Sequence, residues 1–282
     1  MSGASVEKRP PLITPAFVLI GLATLAYFVA ENVVLPVLPL YVRGPLGGSD
    51  VAVGVVIGAF SVTALLIRPW AGRLADRRGR RLPMLVGVGI FTLSVAGYLV
   101  SRSVPALVGM RLLTGVGEAF FFTGAASAIA DLAPDERRGE AISFFSLALW
   151  TGIAVGPVVG EVALGDERFS LVWVVSTAFG ILAGLLALRI RMPRVKAEDL
   201  VHTRLIHRGA LLPGAAILMS VCGAAGFFAF VPLYSRQLGL AGARGVFVLF
   251  SGIVLAIRFF GARLPDALGP VRAARLSLVV SA

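Results

Sequence analysis

The sequence predicts an all-α protein that crosses a membrane many times. Three observations carry this. Of 282 residues, 57% are hydrophobic and 15% charged, with a mean hydropathy of +0.91. No soluble domain of this size needs so much apolar surface. The apolar residues fall into runs long enough to cross a bilayer as helices. The basic residues gather in every second loop between those runs.

Residues 1–12 form a polar tail with Lys8 and Arg9. The first span runs from about 14 to 42. It is too long for the core of a secretion signal, lacks a clear cleavage site and precedes further spans, so it reads as a retained helix. Pro36 and Pro39 are expected to bend its outer end. The next spans cover roughly 51–71, 82–101, 105–130, 140–164, 170–189, 210–235 and 244–262, and a ninth begins near 271. A polar segment over 190–209 reads as a cytoplasmic linker. Its His202 and His207 are surface residues by this reading, not metal ligands.

Of the 26 basic residues, the outer loops hold only Arg43, Arg102, Arg168, Arg236 and Arg244. Arg68, Arg111 and Arg258 fall in spans or at their ends, and all the others lie in the tail or the alternate loops. The N-terminus is therefore placed in the cytoplasm. The net charge of +11 reflects this layout and is not a nucleic-acid footprint. Cys222 is the lone cysteine; it lies in an apolar run and reads as a small packing residue. Lysine occurs only at Lys8 and Lys196 beside abundant Arg, Gly and Ala, an association that points to a GC-rich bacterial genome.

One polar stretch stands out: Gly72-Arg73-Leu74-Ala75-Asp76-Arg77-Arg78-Gly79-Arg80-Arg81, between the second and third spans. Gly72 and Gly79 are expected to allow a tight turn and close backbone approach. Asp76 is placed to cap the next helix or to pair with an arginine of a neighbouring one. The pattern Gly-x-Leu-x-Asp-x-x-Gly-Arg-Arg resembles the loop 2–3 signature of the major facilitator superfamily of secondary transporters.

An internal repeat supports that resemblance. Pro39-Leu40-Tyr41-Val42-Arg43 recurs as Pro232-Leu233-Tyr234-Ser235-Arg236. Ile67-Arg68, Arg73-Leu74-Ala75-Asp76 and Gly79 recur as Ile257-Arg258, Arg263-Leu264-Pro265-Asp266 and Gly269 at nearly the same offset. Two matched segments in one order imply two parallel halves, as in the superfamily's paired six-helix bundles. The expected layout is a six-helix bundle over 1–189, the linker over 190–209, and a partial second bundle over 210–282. Against the superfamily's twelve helices, the chain reads as truncated within its ninth.

Four groups of residues are candidates for function. Glu31 lies just past the middle of the first span, where a charge costs about 2.5–3.5 kcal/mol. It is either a buried acid locked by a partner or a protonatable cavity residue. Arg111-x-x-x-Gly115-x-Gly117-Glu118, on the fourth span, resembles the superfamily's helix 4 signature, whose arginine is associated with proton transfer. Arg111 and Glu118 share a helix face, about 10.5 Å apart along the axis. That spacing suits a water-linked relay or two separate substrate contacts; alternatively, Arg111 pairs with Glu31 or another acid. Gly152, Gly156, Pro157 and Gly160 on the fifth span form a small-residue stripe. Gly-x-x-x-Gly-Pro-x-x-Gly resembles the antiporter motif of the superfamily's exporters. Glu161 replaces that motif's closing glycine and adds a third acid. Finally, Asp131 to Gly139 resembles another short cytoplasmic loop of the superfamily.

The sequence shows no nucleophile–base constellation, metal-ligand cluster or phosphate-binding glycine loop. It is therefore not expected to be an enzyme, to hold a cofactor or metal, or to be driven by ATP. The resemblance implies proton-coupled export of small apolar or amphipathic compounds by alternating access, with protons, a small-molecule substrate and the lipid bilayer as partners, no nucleic acid, and one copy acting alone. Import or facilitated passage of a sugar or metabolite is the alternative within transport. A non-transporting membrane protein or an inert truncation product is the alternative outside it.

Overall fold

The computed structural model of the chain describes residues 12–134, 137–192, 211–240 and 242–260. Residues 193–209 of the expected 190–209 linker, the repeat residues Arg263, Asp266 and Gly269, and the ninth span fall outside them.

The helices are α1 (Pro15–Val34), α2 (Leu38–Arg43), α3 (Asp50–Arg78), α4 (Arg81–Ala96), α5 (Val104–Leu132), α6 (Arg138–Leu164), α7 (Phe169–Arg189), α8 (Leu211–Gln237) and α9 (Arg244–Phe260), with a 3-10 turn over Gly97–Val100 after α4. No strand occurs among the described residues. Counting α1 with α2 as one span, six segments among the described residues are long and apolar enough to cross a membrane. α8 and α9 follow where the seventh and eighth spans are expected.

Local chemistry sets the helix starts. Thr14, Ser49 and Ser103 cap α1, α3 and α5 by accepting from the backbone N–H three residues on, at 3.2, 3.3 and 3.4 Å. Pro15 and Pro105 occupy the first turns of α1 and α5, where no amide partner is missed. The outer end of the first span breaks, as the prolines predict. α1 stops at Val34, three residues intervene, and α2 restarts as one short turn-and-a-half.

The second span departs from expectation. Its apolar run ends at Ala71, yet α3 continues to Arg78. Most of the glycine–arginine stretch is thus helix, not loop. The turn itself is Gly79–Arg80, with Gly79 at φ +84°, a conformation that favours glycine.

α5 packs between α3 and α4, α1 packs between α6 and α7, and α4 against α7 joins the two groups. Aromatic rings fill the shared centre. Tyr27 stacks on Phe121 at 4.0 Å and lies 4.6 Å from Phe91, while Tyr98 meets Trp173 edge-on at 5.3 Å. Large apolar side chains such as Val62, Leu65, Leu93, Leu182 and Leu185 are exposed. On spanning helices such a surface faces acyl chains. α9 runs antiparallel to α6, and α8 touches α2.

Candidate functional site

Charged side chains of two other spanning helices, Arg68 of α3 and Arg111 and Glu118 of α5, come within electrostatic reach of Glu31 on α1. Among the described residues, five buried side-chain atoms have no hydrogen-bond partner: Thr24 Oγ1, Tyr27 OH, Glu31 Oε2, Glu118 Oε2 and Glu161 Oε1. Buried polar atoms are normally satisfied, so this set requires an account. Thr24, Tyr27 and Glu31 lie at helical spacing on one face of α1. Tyr27 and Glu31 are both within electrostatic reach of Glu118 and Arg111.

Each charged residue here has a distinct surrounding. Arg111 is 2% exposed. Its Nε donates to the Val56 carbonyl at 3.1 Å, and its guanidinium lies 4.7 Å from the centre of the Phe60 ring. It forms no ion pair among the described residues, so pairing with Glu31 is not what holds it. Glu118 takes a different cation. Arg68 Nη2 donates to Glu118 Oε1 at 3.1 Å, and the same guanidinium rests 5.0 Å from the Phe122 ring. Arg111 and Glu118 are thus both buried but keep separate partners, about three turns apart on α3. Glu31 has no ion pair among the described residues.

Arg68 is the residue that sequence reasoning assigned no role. Its side chain is 47% exposed, against 8% for Glu118. A guanidinium on a spanning helix does not face acyl chains, so this side of α3 faces a water-filled cavity or protein. The signal was present in the sequence: Ile67-Arg68 recurs as Ile257-Arg258.

The glycines of the fourth-span signature act in packing. A Cβ on Gly117 would lie 2.8 Å from the Gly87 carbonyl of α4, and one on Gly115 would meet the Phe60 carbonyl of α3. The stripe on α6 packs onto α1. A Cβ on Gly152 would lie 2.6 Å from Phe28 Cβ, one on Gly156 would lie 2.5 Å from Asn32 Cβ, and one on Gly160 would meet the Val33 carbonyl. Pro157 is buried inside the same helix. The stripe ends at Glu161, which is 7% exposed.

At the opposite end, the arginine stretch is organised by Arg80, not by its glycines. Arg80 joins Asp76 of α3 and donates to Asp131 Oδ2 at the end of α5, at 2.7 Å. Partial burial lowers its pKa, but the hydrogen bonds to Asp131 and Asp76 outweigh this and raise it, so the guanidinium stays charged. Arg80 occupies the N-cap of α4 and no side chain caps that helix. Asp76 therefore pairs with an arginine and does not cap. Gly72 corrects the expectation too: it lies inside α3, and a Cβ there would meet nothing within 4 Å. Arg73 is exposed and forms no ion pair among the described residues. Arg81 Nη2 donates to the Leu188 carbonyl at 2.5 Å, tying α4 to the end of α7.

This geometry yields a graded expectation. Asp76 is 52% exposed and Arg80 is 15% exposed. Asp76→Asn should cost at most about 1 kcal/mol of stability, as for an exposed pair. Arg80→Gln breaks two pairs at once and leaves Asp131 and Asp76 facing each other, and should lower thermal stability more. If the cluster holds one transport state closed, both variants should insert normally and transport poorly, Arg80→Gln worst. Normal rates from well-expressed Arg80→Gln protein would remove the gating role.

Comparison with known proteins places this architecture. The sequence profile of the Major Facilitator Superfamily matches residues 20–282. Multidrug resistance protein 1 of Bacillus subtilis is 32% identical over 61% of this chain and 44% of its own. The staphylopine export protein of Staphylococcus aureus is 29% identical over 86% and 64%, and the quinolone resistance protein NorA of the same species 26% over 74% and 54%. The chain thus spans roughly half the length of these relatives. A bacterial homologue of the human lysosomal transporter Spinster shares the fold at a TM-score of 0.72 and 21% identity, covering 90% of this chain and 60% of that one. With a profile match over nearly its whole length and the helical architecture that accompanies it, this chain belongs to the Major Facilitator Superfamily.

Proposed function

We propose that the protein is a proton-coupled exporter of small apolar or amphipathic compounds. The observation that carries this reading is the pair of acids Glu31, half-buried, and Glu118, buried, each with one enclosed carboxylate oxygen that no protein group satisfies. A carboxyl group in such a place is fit to take up and release a proton, because the neutral form costs less to enclose than the charged one. Arg68 and Arg111 supply fixed positive charge beside it. Phe122, half-buried beside the Arg68 guanidinium, offers an apolar surface for a substrate. The names of the relatives, which refer to multidrug resistance, quinolone resistance and staphylopine export, favour export over uptake.

In this reading residues 1–189 move as one bundle against a second bundle that begins near 210, and the site opens alternately to each side. The protein acts as a single copy in the inner membrane with its N-terminus in the cytoplasm. The test is uptake of a compound panel into proteoliposomes carrying the full-length protein under an imposed pH gradient. Accumulation that collapses with the gradient supports the proposal. Equal fluxes with and without the gradient overturn the coupling, and accumulation in the opposite sense overturns export.

A further inference from the structure

We propose that Glu161 is the outer latch, the acid that fastens the first six-helix group to the α8–α9 pair at the extracellular face. The inference rests on the alternating-access reading but not on any particular substrate. Glu161 stands where the exporter motif closes with a glycine, so it is not part of the small-residue stripe that packs α6 onto α1. Its side chain turns the other way, toward the start of α9.

Three observations place it there. Its carboxylate accepts a hydrogen bond from the backbone N–H of Ala243, the residue immediately before α9. A helix start carries unsatisfied N–H groups and a partial positive charge, so an anion is favoured there. Glu161 therefore caps a helix that belongs to the other side of the interface. Second, a Cβ on Gly242 would stand 3.0 Å from Glu161 Oε2, and Gly242 has φ +148°. The loop before α9 is shaped to let the carboxylate in. Third, Arg236 at the end of α8 and Arg244 at the start of α9 both act on the carboxylate. Glu161 and Arg244 also line one cavity of about 510 Å³ with Gly165, Leu240 and Val246.

The latch heads a longer seam. Phe247, fully buried, packs with Phe228 and Val158 one to two turns below it. Ser251 Oγ donates to the Ala154 carbonyl about two turns below Glu161. These contacts follow one antiparallel register between α6 and α9. Nearby, Arg236 donates to Glu167 at 2.7 Å, but both side chains are largely exposed, and such pairs contribute little. Of the acids described at this face, Asp50, Glu161, Asp166 and Glu167, only Glu161 is enclosed. Opening the outer side requires its carboxylate to leave Ala243, and its negative charge then sets how often that happens.

The test reads the outer face directly and needs neither substrate nor gradient. A cysteine replaces Val158, which lies under the latch, in full-length protein with Cys222→Ala and no other cysteine. Labelling is followed with a membrane-impermeant maleimide applied from outside. Glu161→Ala and Glu161→Gly should raise the labelling rate about tenfold or more, the scale of losing one charge-assisted hydrogen bond. Glu161→Gln keeps an acceptor oxygen without the charge and should fall between. Glu167→Gln should leave the rate unchanged. If a Glu161 variant fails to fold, Gly242→Val displaces the carboxylate from the other side and should have the same effect. Parental rates in folded Glu161→Gly and Gly242→Val protein would overturn the latch, even where transport is seen. Faster labelling in a protein that moves no compound would keep the latch and sink the exporter reading.

Discussion

Gly156→Leu should be strongly damaging, whereas Val155→Leu, one residue away, should pass almost unnoticed. Gly156 sits at the crossing of α6 and α1. A Cβ there would already lie 2.5 Å from Asn32 Cβ and 2.9 Å from the Asn32 carbonyl carbon. The obstacle is backbone and Cβ, which cannot rotate aside. Leucine must therefore push the helices apart along a seam that also includes Gly152 against Phe28 and Gly160 against Val33. Overpacking a well-filled site costs about 1–3 kcal/mol, and the rigid neighbour places this one at the upper end or beyond. Asn32 suffers as well, because its Nδ2 donates to the Phe28 carbonyl at 2.9 Å on that same face. Val155 is 36% exposed on the outer side of α6, where a longer apolar chain should change stability by no more than about 0.5 kcal/mol. Thermal unfolding of the two variants in detergent, with monodispersity on a sizing column, measures the difference. Equal melting temperatures would mean that α6 does not press on α1 in the native protein.

The contrast between those two neighbours shows what the sequence could and could not tell. The stripe was visible because Gly152, Gly156 and Gly160 repeat at the helical period; its partner was not, since periodicity describes one helix and not the element beside it. The spans were visible as apolar runs, and the break after Val34 was visible in Pro36 and Pro39. The end of α3 was not. Hydropathy falls at Ala71, but the following Arg, Leu, Ala and Asp residues do not stop a helix, and Arg, Leu and Ala favour one. The backbone therefore runs on until Gly79 turns it. The same limit explains Gly72, which looked like half of a glycine turn and proved to be an open position on a helix. Arg111 and Glu118 were correctly placed on one face, yet each takes its contact from α3. Such partners lie some fifty residues away and no local spacing encodes them. Arg68 could have been found from its recurrence as Arg258, because an arginine repeated at matched depth in two spans is costly twice over. Glu161 was visible only as a departure from a motif, and its partner emerged when α9 was seen beside it.

Glu31→Gln should abolish uphill transport while leaving the fold intact, and Glu118→Gln should do the reverse in part. The two acids lie within electrostatic reach of each other but do not share their partners. Glu118 is held by Arg68 at 3.1 Å. Glutamine there keeps an acceptor for Arg68 but not the ion pair, so part of an interaction of about 1.5–3 kcal/mol, reduced by the half-exposed Arg68, is lost and thermal stability should fall accordingly. Glu31 has no ion pair among the described residues, and its Oε2 has no partner. Glutamine retains its shape and most of its hydrogen-bonding capacity but cannot titrate. The melting temperature of Glu31→Gln should therefore stay within a few degrees of the parent. Its coupling should not survive. The variant should bind substrate and exchange it down a gradient, yet accumulate at least about tenfold less against one under an imposed pH difference, since a coupling residue that cannot titrate leaves that gradient without purchase. Glu31 is expected to lead because α1 ends three residues later, at Val34, before the break at Leu35–Val37. A change of charge at Glu31 acts on a segment whose hydrogen bonding is already interrupted, and α2 beyond it touches α8 across the interface. Proteoliposome transport, counterflow exchange and thermal unfolding, measured together on Glu31→Gln, Glu118→Gln and the double variant, separate the two roles. A structural acid lowers stability and expression with coupling intact in the protein that remains. A coupling acid loses accumulation with stability intact. If all three variants still concentrate substrate against its gradient, proton coupling does not pass through this cluster, and the unsatisfied carboxyl oxygens serve the substrate instead.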